Sequence, residues 1–340
     1  MSKKFTVRFA GLSDKPSIMC FIKNHWSQDH ILGHDHALFD FQYLQNNRLN
    51  FVLAIDPYGS LSGVLGYICY GYHKGRQDIA LALWKVIPNL PDPYLGVKLV
   101  VFLQGDSSIR NIHCVGVHTK VLDIYKYLGF KVGILDHYAA FNKACTAFRI
   151  AKPPTEIAAT ASESIFEFRE VKSLNATLTK LYDTAFYNEK IPYKTRDFFL
   201  KRYVYHPYFK YKFYETGFNS EFQGFVVARE VKHDGGVALR IIEVVSSDDK
   251  IASIIEGFAT ILNGSAYEYV DVYASGLGDG ITTSKNFVRV SAFSKTVVPE
   301  YFEPFEMRNV DIHYVTTADM IPVLFKGDGD QDRPNFRANE

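Results

Sequence analysis

Three stretches of this chain gather residue types that can do chemistry. The first runs His25-Trp26-Ser27-Gln28-Asp29-His30-Ile31-Leu32-Gly33-His34-Asp35-His36, with four histidines and two aspartates. Such a cluster offers metal ligands or a base that works near neutral pH. Its spacing matches no established zinc pattern and HExxH is absent, so proton transfer is preferred over metal binding. A proton would go to water, His25 or Asp35, with Asp29 and His36 as polar contacts and Trp26 as a platform for a sugar or base ring. The competing reading is a polar capping loop with solvated histidines.

The second stretch is Lys326–Asn335, KGDGDQDRPN. It starts like a calcium loop, then places Arg333 where the EF-hand needs Gly and Asn339 where it needs the bidentate Glu. Asp330 and Asp332 suit hydrogen bonds to sugar hydroxyls or an amine, and Arg333 suits a phosphate. A solvated tail is the alternative, and residues 325–340 read as exposed or wrapped across another element. The third stretch is His118–Phe130, HTKVLDIYKYLGF. Alone it reads as an amphipathic helix capped by Gly129, with Phe130 opening a strand. Glu243, a carboxylate inside the apolar run ALRIIEVV, is either a contact in an acceptor pocket or a salt-bridged strand residue.

The elements that must position these residues follow from periodicity. Helices are expected at 14–24 and 37–48, a strand over 50–56, a turn at 57–60 and its hairpin partner over 62–70. Residues 78–88 read as a strand, 97–104 as a helix, 112–117 as a strand and 118–128 as a helix. Residues 151–163 are rich in Pro, Ala, Thr and Ser and read as a linker between units 1–150 and 164–340. Beyond it the order partly returns: a hairpin over 211–215 and 224–231, a strand at 238–245, a helix at 251–262 and a strand at 267–274. The whole is a mixed α/β protein with a weak internal repeat.

Composition narrows the classes. The 340 residues hold 38 Lys+Arg against 37 Asp+Glu, so no net field favours nucleic acid. No run approaches a membrane span and no secretory signal is present. The four cysteines are scattered without a CxxC pair, as in a cytoplasmic protein lacking disulfides. Neither a Walker A sequence nor a GxSxG in register occurs.

The pattern YxxxGF after a strand, preceded by strand, loop and helix, resembles the end of the GCN5-related N-acetyltransferase (GNAT) fold over about residues 1–143. The resemblance implies that Tyr125 protonates the leaving thiolate of coenzyme A. His118 stands where many members have Asn. The splayed strand matches Leu81–Ile87, with Trp84, Val86 and Ile87 along the pantetheine arm. The pyrophosphate loop matches Pro91–Lys98, with one glycine where two are usual; Tyr94, Leu95, Gly96, Lys98 and Leu99 would contact the cofactor there. A helix N-terminus at that point offers amides and a positive dipole end to a diphosphate. In the second half the corresponding loop, Ser246–Lys250, has two acids and no glycine, so this copy is degenerate and would shape the acceptor pocket.

HWSQDHILGHDHALFDFQY, ALALWKV, YKYLGF and KGDGDQDRPN together resemble the GNAT-type sugar N-acyltransferases of bacterial surface-polysaccharide synthesis. This implies an acetyl or short hydroxyacyl group, such as 3-hydroxybutanoyl, moved from acyl-CoA to the amine of a dTDP-linked amino-dideoxy sugar. No metal, nucleic acid or membrane is called for, and homodimerisation is left open. The aromatic stretch 182–218 would stack on thymine or sugar. Two rivals stand beside this: a Fem-type aminoacyl transferase using aminoacyl-tRNA, and a GNAT-like module binding glycan or nucleotide without turnover.

Overall fold

The computed structural model describes residues 4–157, 163–277 and 286–335. The chain opens with β1 (Thr6–Phe9), α1 (Lys15–His25) and α2 (His36–Tyr43). Pro16 lies in the first turn of α1, where a missing amide costs nothing. The helix expected over 37–48 stops early. Asn46 and Asn47 take positive φ, 50° and 56°, in the turn between β2 (Leu44–Gln45) and β3 (Arg48–Leu49). Asparagine tolerates that left-handed geometry, which favours a tight hairpin over a further helical turn.

An antiparallel meander follows, β4 (Phe51–Ile55), β5 (Leu61–His73) and β6 (Arg76–Val86). Then α3 (Leu95–Gln104) crosses over to β7 (Ile109–Val115), which runs parallel to β6. After α4 (Leu122–Tyr127) the expected glycine cap is present, Gly129 at φ 85°, and β8 (Lys131–Phe141) begins. The second half runs β9 (Glu167–Val171), α5 (Leu174–Tyr182) and α6 (Arg196–Phe199), which continues into a π-helical turn, Leu200–Val204. It continues with β10 (Lys212–Phe218), β11 (Glu221–His233), β12 (Gly236–Val245), α7 (Asp248–Phe258) and β13 (Tyr269–Ala274). β14 (Val288–Arg289) and β15 (Ile312–Thr316) complete it.

One 13-stranded sheet runs in the order β1-β4-β5-β6-β7-β15-β8-β13-β12-β11-β10-β9, with β14 beside β8. The series β4, β5, β6, α3, β7 recurs as β10, β11, β12, α7, β13, and its last two strands are again parallel. This is the tandem mixed α/β architecture expected from the sequence. The halves are knitted together: β15 lies between β7 and β8, and β8 also pairs with β13. Lys152 forms a bridge with Val297, so the first residues of the expected linker are held down.

Side chains alternate across the sheet as strand geometry requires. Val52, Leu65 and Leu81 pack under α3 and α4, whereas Leu53, Val64 and Leu83 pack under α1 and α2. The aromatic stretch 182–218 is mainly core rather than stacking surface. Tyr187, Phe199, Tyr203 and Phe213 fill the layer between α5, α6 and the sheet, where apolar burial stabilises more than exposure could. Cys114 is buried, whereas Cys20, on α1, is exposed. No helix among the described residues is long and apolar enough to cross a membrane.

Candidate functional site

β6 and β7 are paired from Gln77↔Ile109 to Ala80↔His113 and then separate. Just beyond, Gly66↔Leu83 and Tyr67↔Leu81 leave Ala82 as an extra residue on β6. Such a bulge takes backbone groups out of the ladder and turns them toward whatever lies in the gap. The loop after β6 then leads into α3. Its first amide, Leu95, donates to the Asp92 carbonyl at 3.3 Å, and the Lys98 amide to the Tyr94 carbonyl at 2.9 Å. The helical pattern leaves the Gly96 and Val97 amides without intrahelical acceptors, at the positive end of the helix dipole.

A groove of about 430 Å³ follows these elements, walled by Trp84, Val86, Ile87, Gly96, Val121 and Ile124. A second hollow of about 900 Å³ shares Ile87, Leu90, Asp92 and Pro93 with it and reaches Lys98 and Tyr58. Of the residues expected at a cofactor, Trp84, Val86, Ile87 and Gly96 line the groove and Lys98 the adjoining hollow. A Cβ on Gly96 would lie 3.4 Å from the Trp84 ring, so any larger side chain points into the groove. Leu95 and Leu99 do not line it. They are fully buried in the core beneath, because their helix phase turns them to the sheet. Tyr94 and His118 stand at the surface beside it, and His118 caps the following turn, its Nδ1 accepting from the Lys120 amide at 3.2 Å. Lys98 Nζ is paired with Asp92 at 2.5 Å.

Tyr125 is 2% exposed, edge-on to Trp84 (5.4 Å between centroids) and to Phe130 (5.1 Å). Burial and the neighbouring Cys114, to which its hydroxyl is hydrogen-bonded, push the phenol well above its ordinary value and keep it protonated. Burial likewise raises the Cys114 thiol.

The segment Lys326–Arg333 is not a solvated tail. It wraps inward, and Lys326, Asp328 and Asp332 are buried against partners from the body of the protein. Lys326 pairs with Glu300, Asp328 with Lys194 at 2.7 Å, and Asp332 with Arg229 at 2.6 Å; Asp330 pairs with Arg333 at 3.3 Å. The Tyr211 hydroxyl donates to Asp332 at 2.7 Å. Burial alone would raise the Asp332 carboxyl, but Arg229 and Lys326 outweigh it and hold it well below the usual carboxylate range. Gly329, at φ 89°, sits where β6 and β7 part; a Cβ there would lie 3.9 Å from that of Ala80 and 3.8 Å from the Val115 nitrogen.

In the second copy the equivalent gap is closed by the same segment. β12 and β13 pair from Leu239↔Val270 to Ile241↔Val272, and Ile242 is the extra residue of the bulge. The Gly327 amide donates to the Ile242 carbonyl at 3.1 Å, and Phe325 bridges to Ala274. Only about 10 Å³ remains. Asp248 and Asp249 open α7, where α3 has none. Glu243, beside this gap, is bonded to Lys194 and accepts from the Tyr203 hydroxyl at 2.5 Å. It is a buried ion-paired strand residue, and burial raises its carboxyl. Lys194, Tyr203 and Arg229 were invisible as partners in the sequence, since they lie 40 to 134 positions from the acids they meet.

Of the histidine-rich loop, His25, Trp26, Asp29 and His36 are exposed, and the His25 ring packs at a tilt against Phe21, 4.7 Å between centroids. Asp35 caps α2, Oδ1 accepting from the Leu38 amide at 2.8 Å, and accepts the Tyr208 hydroxyl at Oδ2. His30 is the member that meets the C-terminal segment: Arg333 Nη2 lies 3.4 Å from His30 Nε2. Burial, with Arg333, lowers this histidine to about 4, so it is neutral, its Nδ1 accepting from the Leu32 amide at 3.3 Å. Among the described residues no group of three or more His, Cys, Asp or Glu is arranged to hold a metal ion.

No family model matches this sequence, and no curated protein does. Solved structures do match in shape. A GCN5-related N-acetyltransferase from Anabaena variabilis superposes at a TM-score of 0.58 and 12% identity, covering 92% of this chain and 72% of its own. A probable N-acyltransferase from Enterococcus faecalis superposes at 0.53 and 7% identity, covering 91% and 72%. Across nearly its whole described length, the chain carries the fold of the GCN5-related N-acetyltransferases.

Proposed function

We propose that the chain is an acyl-CoA-dependent N-acyltransferase whose acceptor is the amine of a nucleotide-linked amino-dideoxy sugar. The observation that carries this is the parting of β6 and β7 beyond Ala80–His113, with the Ala82 bulge at its mouth and the α3 N-terminus beside it. Residues fit the co-substrate: an apolar wall at Trp84, Val86 and Ile87 for a pantetheine arm, and helix amides with Lys98 for a diphosphate. Acyl-CoA supplies an activated thioester.

The chain's own groups do the rest. Backbone amides freed at the bulge are fixed donors for a developing oxyanion. Tyr125, protonated at neutral pH, donates to a departing thiolate. Asp330 and Arg333 orient the amine and its attached group, with His30 beside Arg333. The amine's proton leaves to water or to a carboxylate of this segment, since Asp35 is engaged in its cap. The meeting of the histidine-rich loop with KGDGDQDR supports a polar, hydroxyl-bearing acceptor. The closed second gap supports a single acyl site.

Calorimetric titration with coenzyme A and acetyl-CoA tests this, followed by thiol release with a panel of dTDP-amino sugars. Micromolar binding, lost in Gly96→Leu, and thiol release with one amino sugar are expected. Absence of binding at millimolar coenzyme A overturns the acyltransferase assignment. Binding without release by any amino sugar overturns the acceptor.

A further inference from the structure

The loop Pro91-Asp92-Pro93 places a carboxylate at the start of α3, in the wall shared by the groove at Trp84 and the adjoining hollow. Asp92 Oδ1 accepts from the Tyr94 amide at 3.1 Å, and Oδ2 from Lys98 Nζ at 2.5 Å. Its carbonyl takes the Leu95 amide at 3.3 Å. One residue therefore answers two amides at the positive end of the helix and the lysine one turn in. Proline on both sides stiffens the loop, because each ring fixes its own φ and Pro93 also restricts Asp92. The carboxylate can leave these donors by rotating its side chain while the loop stays in place.

We propose that Asp92 is a specificity gate for the donor's diphosphate, an internal anion that a diphosphate must displace to reach Lys98. The inference rests on the acyltransferase reading for the identity of the donor. A phosphate at the Gly96 and Val97 amides draws on the same positive groups that Asp92 holds, and the fixed carboxylate opposes it. Exchange is feasible because the pair is weak. The Lys98 side chain is 56% exposed, and an ion pair within reach of water contributes little. The other acid in these walls does not compete for these donors. Asp56 turns back into its own hairpin, Oδ1 accepting from the Tyr58 and Ser60 amides at 2.8 Å. Trp84, Val86 and Ile87 form an apolar wall whose hold on a pantetheine arm is independent of Asp92.

The consequence is easier exchange. When the spent thiol carrier leaves, Asp92 recovers Lys98 and the Tyr94 amide, which lowers the cost of release. The charge and the turn can be separated chemically. Asp92→Asn keeps an oxygen for the Tyr94 amide and removes the negative charge.

Calorimetric titration of the wild-type protein and Asp92→Asn with coenzyme A, inorganic pyrophosphate and pantetheine tests this. Coenzyme A and pyrophosphate should each bind Asp92→Asn about fivefold or more tightly, with pantetheine affinity within about twofold, as one like charge removed at close range dictates. Asp92→Ser, which also offers the Tyr94 amide an oxygen, should show the same gain, and both variants should keep a cooperative thermal transition. Adding Lys98→Met to Asp92→Asn should cancel much of the gain, because part of it is the lysine set free. Equal or weaker coenzyme A binding in both charge-free variants makes Asp92 a cap that orients Lys98 and overturns the inference. A matching gain for pantetheine does the same, since it marks a change of shape rather than of charge. Pyrophosphate separates the two claims. Tighter pyrophosphate binding in the variants without any coenzyme A binding sinks the acyltransferase reading and leaves the gate standing. Coenzyme A bound equally well by wild type and variants sinks the gate alone, and binding of neither anion by any of them overturns both.

Discussion

Lys194 Nζ lies 2.7 Å from Asp328 Oδ1, and neither side chain reaches solvent. The same ammonium meets Glu243, so one buried cation holds two carboxylates from segments 85 positions apart. Burial works to lower this lysine, but Asp328 and Glu243 outweigh it and raise it. It is the pin that fixes the C-terminal segment between the two gaps of the sheet.

Removing that cation leaves two facing acids without a partner. Lys194→Met is expected to cost about 3–5 kcal/mol, the usual penalty for breaking a buried pair from one side. Adding Glu243→Gln and Asp328→Asn should restore most of it. Urea unfolding checks this, and a loss under about 1 kcal/mol in the single variant contradicts the pinning role.

Gly96 separates fold from binding. Gly96→Ala places its Cβ at an ordinary 3.4 Å from Trp84 and removes a helix-destabilising glycine, so stability should hold or rise by up to about 1 kcal/mol. Gly96→Leu should keep the thermal transition within a few degrees yet lose coenzyme A affinity at least about tenfold. Unchanged affinity in the leucine variant would move the cofactor elsewhere.

The Tyr125 hydroxyl is asked for a proton, not for binding. Tyr125→Phe should lower kcat by about 10²-fold or more with little change in coenzyme A affinity. Full turnover would remove the acid role, and a parallel collapse of affinity would make the residue a packing element beside Trp84.

Acid should loosen the fold well above the carboxylate range. Burial lowers His113 to about 4, against the upward pull of Asp78, and burial with Arg202 lowers His206 to about 3. In an unfolded chain each titrates near about 6.5. Their contribution is therefore complete above about pH 6.5 and is lost as pH falls toward 4, because the unfolded state takes up the protons. Each histidine adds at most about 1.4 kcal/mol per pH unit to the slope. Stability measured from pH 7 to 4.5 should fall, and His113→Gln should flatten that decline by one proton's worth; an equal slope would show His113 charging inside the fold.

Much of this was legible in sequence where the signal is local. The hairpin at Asp56–Ser60, the parallel crossover through α3 and the Gly129 cap each rest on a few adjacent residues. Trp84, Val86, Ile87 and Gly96, expected together from the strand end and the helix start, line one groove. What the sequence left open depends on distant partners. KGDGDQDR allows a solvated tail beside a wrapped, ligand-binding segment because nothing nearby in the chain answers its charges; Lys194, Arg229 and Glu300 do, from far away. Asp35, read as one carrier of the amine's proton, caps α2, a role that its position just before that helix signals. The cavity between α2, β5 and α6 has no sequence mark at all, being made where the two halves meet.

The placement of β15 has a consequence for how the molecule is made. Thr316 pairs with His113 across 203 positions, and Ile312 with Leu135 across 177. During synthesis β7 and β8 emerge long before the strand that joins them, each with an open edge. The amino-terminal half must wait for the last part of the chain before its sheet can close. High contact order of this kind slows folding and prolongs exposure of strand edges. A fragment stopped before Ile312 should therefore collect in aggregates rather than as a folded first half, and a peptide spanning 312–330 supplied in trans should bring part of it back into solution.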